Sequence, residues 1–115
     1  MPLRILIYED NLMWSSRLVQ TLVALGHEPI VLATPDPREG DAAIVNLGAP
    51  SFRPAELVPA LRERGVHVIG HAGHKEKELH ELGREIGCDT LATNRELTFQ
   101  VERLLRNVST GLQGA

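Results

Sequence analysis

At 115 residues, 43% of them hydrophobic and 23% charged, the chain is sized for one soluble domain with a real core. A formal net charge of −3 and only four aromatic residues (Tyr8, Trp14, Phe52, Phe99) exclude the basic, stacking surface that direct nucleic-acid binding requires. The single cysteine, Cys88, excludes an internal disulfide and fits a reducing compartment, with the thiol as a small buried apolar group. The apolar opening to Tyr8 is too short for a signal peptide and runs into Glu9-Asp10. No stretch reaches transmembrane length, so a cytoplasmic protein without membrane contact is expected.

Two kinds of segment alternate along the chain. "LRILIY", Leu3 to Tyr8, reads as a buried strand. Asn11 to Leu25 reads as a helix with Leu18, Leu22 and Leu25 on one face, Asn11 as its N-cap and Gly26 as its stop. Glu28 to Ala33 and Ala42 to Asn46 are the next two strands. "RPAELVPALRERG" is a helix opened by Pro54, in which Pro59 predicts distortion or a late start. Val66 to Gly70 is a fourth strand, Lys75 to Ile86 a helix stopped by Gly87, and Asp89 to Ala92 a short fifth strand. Arg95 to Val108 is a last helix with Leu97, Val101, Leu104, Leu105 and Val108 inward. The domain is therefore expected over 1–108, with 109–115, "STGLQGA", as a frayed tail.

Alternating strands and helices imply a parallel sheet, α/β in class, with helices on both faces and right-handed crossovers. Five strands suggest the flavodoxin-like order 2-1-3-4-5. One crossover lacks its helix. Between the second and third strands lies only "TPDPREGD", whose prolines and glycine exclude one. Pro35 to Asp41 spans at most about 24 Å, and crossing one intervening strand while returning along the sheet takes about 19 Å. An extended strap is favoured over a hairpin that would make strand two antiparallel. Without the helix, apolar side chains near strands one and three are expected to be poorly covered, a candidate partner or dimer surface.

In such a sheet the chemistry gathers at the carboxyl ends of the strands. Those ends carry Glu9-Asp10-Asn11, Asn46, Gly70-His71-Ala72 and Thr93-Asn94-Arg95. "ILIYEDN", "NLGAP", "GHAG" and "GCDTLATN", taken together over Leu3 to Val108, resemble the landmarks of response-regulator receiver domains, the phosphorylation switches of two-component signalling. The resemblance places Glu9 and Asp10 on the acidic pair that helps hold Mg²⁺ and Asn46 on the phospho-accepting aspartate. His71 falls on the Thr/Ser that senses the phosphoryl group, Asn94 on the lysine that pairs with it, and Arg95 on the proline that follows.

So the resemblance implies the fold while Asn46, His71 and Asn94 form a degenerate phosphorylation site. An acyl phosphate needs a carboxylate nucleophile, which an amide does not supply. Without the lysine a developing phosphoryl charge lacks a fixed cation. The plain reading of Glu9-Asp10 is a solvated acidic pair at a helix N-terminus. A weak cation or ligand site of Glu9, Asp10, Asn46 and His71 is the alternative, with no resident metal or other cofactor expected.

The reading that follows is a pseudo-receiver in bacterial-type signalling, not an enzyme, acting through protein contact independently of phosphorylation. Its partner is a protein, a second copy of the chain among the candidates. Trp14, either an exposed anchor or a residue partly buried against the sheet edge, Lys77 in the charged run "HKEKELHE", and Arg95 are the interface candidates. The resemblance puts that run on the receiver's fourth helix, a common partner face. A small-molecule or metal sensor using the strand-tip crevice is the second reading. A small flavodoxin-like enzyme is the third, although neither a G-x-G-x-x-G loop nor a Ser/His/Asp set is present.

Overall fold

Five short apolar runs become five parallel strands: β1 (Arg4–Tyr8), β2 (Glu28–Leu32), β3 (Ala42–Asn46), β4 (His67–Ala72) and β5 (Thr90–Thr93). The computed structural model describes residues 2–108, so the expected tail at 109–115 lies outside the described residues. The sheet order is β2-β1-β3-β4-β5, the flavodoxin-like arrangement. Helices α1 (Leu12–Ala24), α4 (Asn94–Phe99) and α5 (Val101–Leu105) cover one face. Helices α2 (Pro54–Glu63) and α3 (Lys77–Ile86) cover the other.

Each face carries its own apolar cluster because strand side chains alternate between faces. Ile5, Ile7, Ala42, Ile44 and Ile69 pack under Leu18, Leu22, Leu97 and Val101. Leu6, Tyr8, Ala43, Val45 and Val68 pack under Leu57, Val58 and Leu61. Helix α3 reaches the sheet through Gly83, where a Cβ would stand 2.5 Å from Leu91 Cδ2 and 2.8 Å from Leu47 Cδ1. Only a residue without a side chain lets that helix approach so closely.

The strap between β2 and β3 is confirmed, and the hairpin is excluded by the parallel β1–β2 register. Its coverage of the sheet corrects one expectation. Leu6, Tyr8, Ala43 and Val45 are all fully buried, so among the described residues these strand positions are not left bare by the missing helix. Gly40 lies flush on Leu6, with a Cβ position 3.1 Å from Leu6 Cγ, and Tyr8 donates its hydroxyl hydrogen to the Asp36 carbonyl at 2.7 Å. Asp41 closes the strap by accepting from the Arg4 amide at 2.8 Å and donating its own amide hydrogen to the Arg4 carbonyl at 2.9 Å.

Three helix expectations also shift. Helix α2 starts on Pro54 and continues through Pro59, which is exposed, so the carbonyl left without an amide donor faces water. The last helix divides at Gln100 (φ −132°, ψ 27°), giving α4 and α5 in place of one element. Helix α3 starts at Lys77 rather than Lys75, and β4 runs two residues past Gly70, to Ala72.

Candidate functional site: a buried polar row at the strand tips

Register and pleat together assemble the site. Tyr8 pairs with Val45 and Asn46 with His71, so Glu9, Asn46 and His71 stand in a row across the ends of β1, β3 and β4. Tyr8 and Val45 point to the α2 face; their successors Glu9 and Asn46 therefore point to the α1 face. Ile69 belongs to the α1 face, and His71, two residues on, shares it. Asn94 joins the row from the first position of α4, where Thr93 and Glu96 form a capping box.

The row is knit by short contacts. The Asn46 amide donates to both Glu9 oxygens, at 3.1 Å to Oε1 and 3.0 Å to Oε2. The Asn11 backbone amide donates to Glu9 Oε2 at 3.0 Å, and the Gly48 amide donates to Asn46 Oδ1 at 2.9 Å. His71 Nδ1 lies 2.8 Å from Asn94 Oδ1. With the amide oxygen turned to the ring, Nδ1 carries the hydrogen and the Nε2 lone pair faces the Glu9 carboxyl. Nε2 makes no hydrogen bond; Glu9 Oε1 lies 3.5 Å away, and both side chains are at most 3% exposed.

Burial sets the charge of this pair. It pushes the His71 imidazole down to about 4, against which the Asn94 contact acts only in part. It raises the Glu9 carboxyl above its ordinary value, partly offset by the donors from Asn11 and Asn46. Both shifts favour the uncharged form of each group. The plain reading of a solvated acidic pair thus holds for Asp10, which is exposed, and fails for Glu9, which is 4% exposed.

A cleft of about 220 Å³ opens over the row, lined by Glu9, Asp10, Asn11, Trp14, Asn46, His71 and Asn94. Trp14 is half-buried and stacks on His71, with ring centroids 4.8 Å apart and planes at 24°. Its place follows from Asn11, whose side chain caps α1 by accepting from the Trp14 amide at 3.0 Å. Arg95 does not line the cleft; its guanidinium sits 5.8 Å from the centre of the Phe99 ring. Lys77 is exposed at the start of α3, also away from the cleft. Among the described residues no three His, Cys, Asp or Glu side chains cluster in a way that could hold a metal ion. Cys88, with its thiol pushed up to about 11 by burial, is not a reactive thiol at neutral pH. Sequence reasoning placed the row's members but missed the Asn46–Glu9 bonds and the Trp14–His71 stack. The strand register was the signal that would have found the first.

No family model matches the sequence, and no curated protein does. Solved structures do. The chain superposes on a CheY-like response regulator receiver domain protein from Methanospirillum hungatei with a TM-score of 0.75 at 21% identity, covering 96% of this chain and 99% of that one. The receiver domain of TorR, the response regulator of TMAO respiration, gives a TM-score of 0.76 at 27% identity over 93% of this chain and 99% of that one. NtrX from Brucella abortus gives 0.79 at 16% identity over 98% of this chain, which spans only 29% of NtrX. The fold is that of a response-regulator receiver domain, an architecture that supports a signalling module. Among the described residues no helix is long and apolar enough to cross a membrane.

Proposed function

We propose that the protein is a phosphorylation-independent pseudo-receiver that signals by protein contact. One observation carries this reading: the Asn46 amide is bonded to both oxygens of Glu9, where the fold's likeness to receivers would have an ionised aspartate. A neutral donor stands where the nucleophile would be, and it holds the acid that would help bind Mg²⁺. The other positions agree. Asn94 is engaged with His71, and the nearby cation of Arg95 is turned to Phe99. A cation sensor in the cleft is the weaker reading, because the Glu9 carboxyl is buried and both its oxygens are engaged by Asn11 and Asn46, which leaves only Asp10 exposed there. The exposed residues Lys77 and Arg95 and the half-buried Trp14 supply contact points for a partner, a second copy among them.

The test is intact-mass analysis after incubation with acetyl phosphate and Mg²⁺. No base-labile phosphorylated species is expected from the native protein, nor from Asn46→Asp, which still lacks a cation at Asn94. A phosphorylated native protein would end this reading. Robust phosphorylation of the single variant would show that the remaining positions retain the chemistry.

A further inference from the structure

A second opening lies beside the strand-tip cleft, between α1 and α4. It encloses about 180 Å³ and is lined by Trp14, Arg17, Leu18, Thr21, Leu97, Thr98 and Phe99. An apolar cavity of about 150 Å³ is enough to hold benzene, so this space matches one aromatic ring bearing a small substituent.

Its walls are unusual for a surface helix pair. Phe99 is 75% exposed and does no core work; the nearby Arg95 guanidinium holds its ring. Trp14 is fixed from behind by His71, so its position is set before anything enters. Leu18 and Leu97, both buried, supply the rest of its apolar lining. The threonine hydroxyls already donate within their own helices, Thr21 to the Arg17 carbonyl at 3.1 Å and Thr98 to the Asn94 carbonyl at 2.9 Å.

Arg17 decides the sign of the ligand. It is the sole charged residue in the 13 residues of α1, it is exposed, and it takes part in none of the ion pairs found among the described residues. Of the nine other arginines, five are matched to a carboxylate: Arg4, Arg53, Arg62, Arg64 and Arg103. In a chain of net charge −3, the Arg17 guanidinium beside Trp14 and Phe99, with Arg95 over the Phe99 ring and also outside those ion pairs, is a local complement to an anion.

We propose that the α1–α4 slot binds a small aromatic carboxylate, its ring between Trp14 and Phe99 and its carboxylate on Arg17. The site adjoins the polar row and shares Trp14 with it, but none of the row's hydrogen-bonded polar groups lines it.

Phenylacetate and benzyl alcohol are the paired probes, similar in ring and differing in charge. Trp14, the only tryptophan, reports binding by fluorescence, and amide chemical shifts in α1 and α4 locate it. Phenylacetate is expected to saturate both signals and to bind about tenfold tighter than benzyl alcohol, the worth of one charge-assisted contact. Arg17→Gln is expected to erase that difference, and Phe99→Ala to weaken both probes; both residues are exposed, so both variants should fold. Absence of saturation by millimolar phenylacetate would overturn the proposal. So would an unchanged preference in Arg17→Gln, or shifts that follow protein concentration instead of probe, which would assign the slot to a second copy of the chain.

Discussion

At the amino ends of the strands, Arg4 pairs with Glu28 at 3.3 Å, Arg62 with Asp89 at 3.3 Å and Arg64 with Glu39 at 3.6 Å, and all six side chains are at least a quarter exposed. At the carboxyl ends, Glu9 and His71 lie 3.5 Å apart and are almost completely buried. The first set consists of full charges screened by water, which contribute little each. The second is a buried pair in which burial disfavours the charged form of both groups, so that removing either partner is costly. The same residue types thus do different work at the two ends of one sheet. A carboxylate beside a cation is informative only with its exposure known.

The largest effect is expected from His71→Ala, which empties a packed position, unstacks Trp14 and leaves the buried Glu9 carboxyl facing a void. A loss of about 3 kcal/mol in urea unfolding is expected. A loss below about 1 kcal/mol would mean that water already reaches the pair.

Glu9→Gln sharpens the comparison by preserving shape and removing the titration. At pH 7 it should cost no more than about 1 kcal/mol if the pair is neutral, and several times that if it is a true ion pair. The pH profile separates the cases further. His71 alone, lowered from 6.5 to about 4, contributes stability that is present above pH 6.5 and lost as pH falls toward 4. Glu9, raised from 4.5, contributes stability that is present below pH 4.5 and lost as pH rises. The two slopes oppose each other above pH 4.5, so the native curve is expected to be shallower there than the His71 slope alone. Glu9→Gln leaves only the His71 slope, up to about 1.4 kcal/mol per pH unit. Equal curves for the two proteins, measured by urea midpoints from pH 4.5 to 6.5, would break the account of two opposed buried groups.

The smallest effect belongs to the other end. Arg4→Gln, removing an ion pair in which both side chains are about half exposed, should shift stability by about 0.5 kcal/mol or less, and less again in high salt. A loss comparable to that of His71→Ala would erase the contrast between the two ends.

Much of the fold was legible because its signals are local. Apolar runs, glycine stops and the reach of seven extended residues suffice for the strand order and the strap. The Gln100 break was not legible, since Leu97, Val101, Leu104 and Leu105 keep a helical spacing straight across it. The likeness of the strand tips to receiver motifs located Asn46, His71 and Asn94, but Glu9 was misread as solvated. Nothing in "YEDN" distinguishes its two acids; the pleat of β1 does, turning Glu9 inward and leaving Asp10 outside. Coverage of Leu6 and Tyr8 by the strap was equally hidden, because it depends on where Gly40 and Asp36 come to rest.

That strap has a consequence for motion. It covers two fully buried strand residues with no helix or strand hydrogen bonds of its own, anchored instead by the Tyr8 hydroxyl and the Asp41 contacts. Such a segment is a natural local-unfolding unit, opening far more cheaply than the five-stranded sheet beneath it. Its amides should exchange with solvent long before those of β1 and β3. An opening of the strap would uncover Leu6 and Tyr8, two side chains that are fully buried while it is closed.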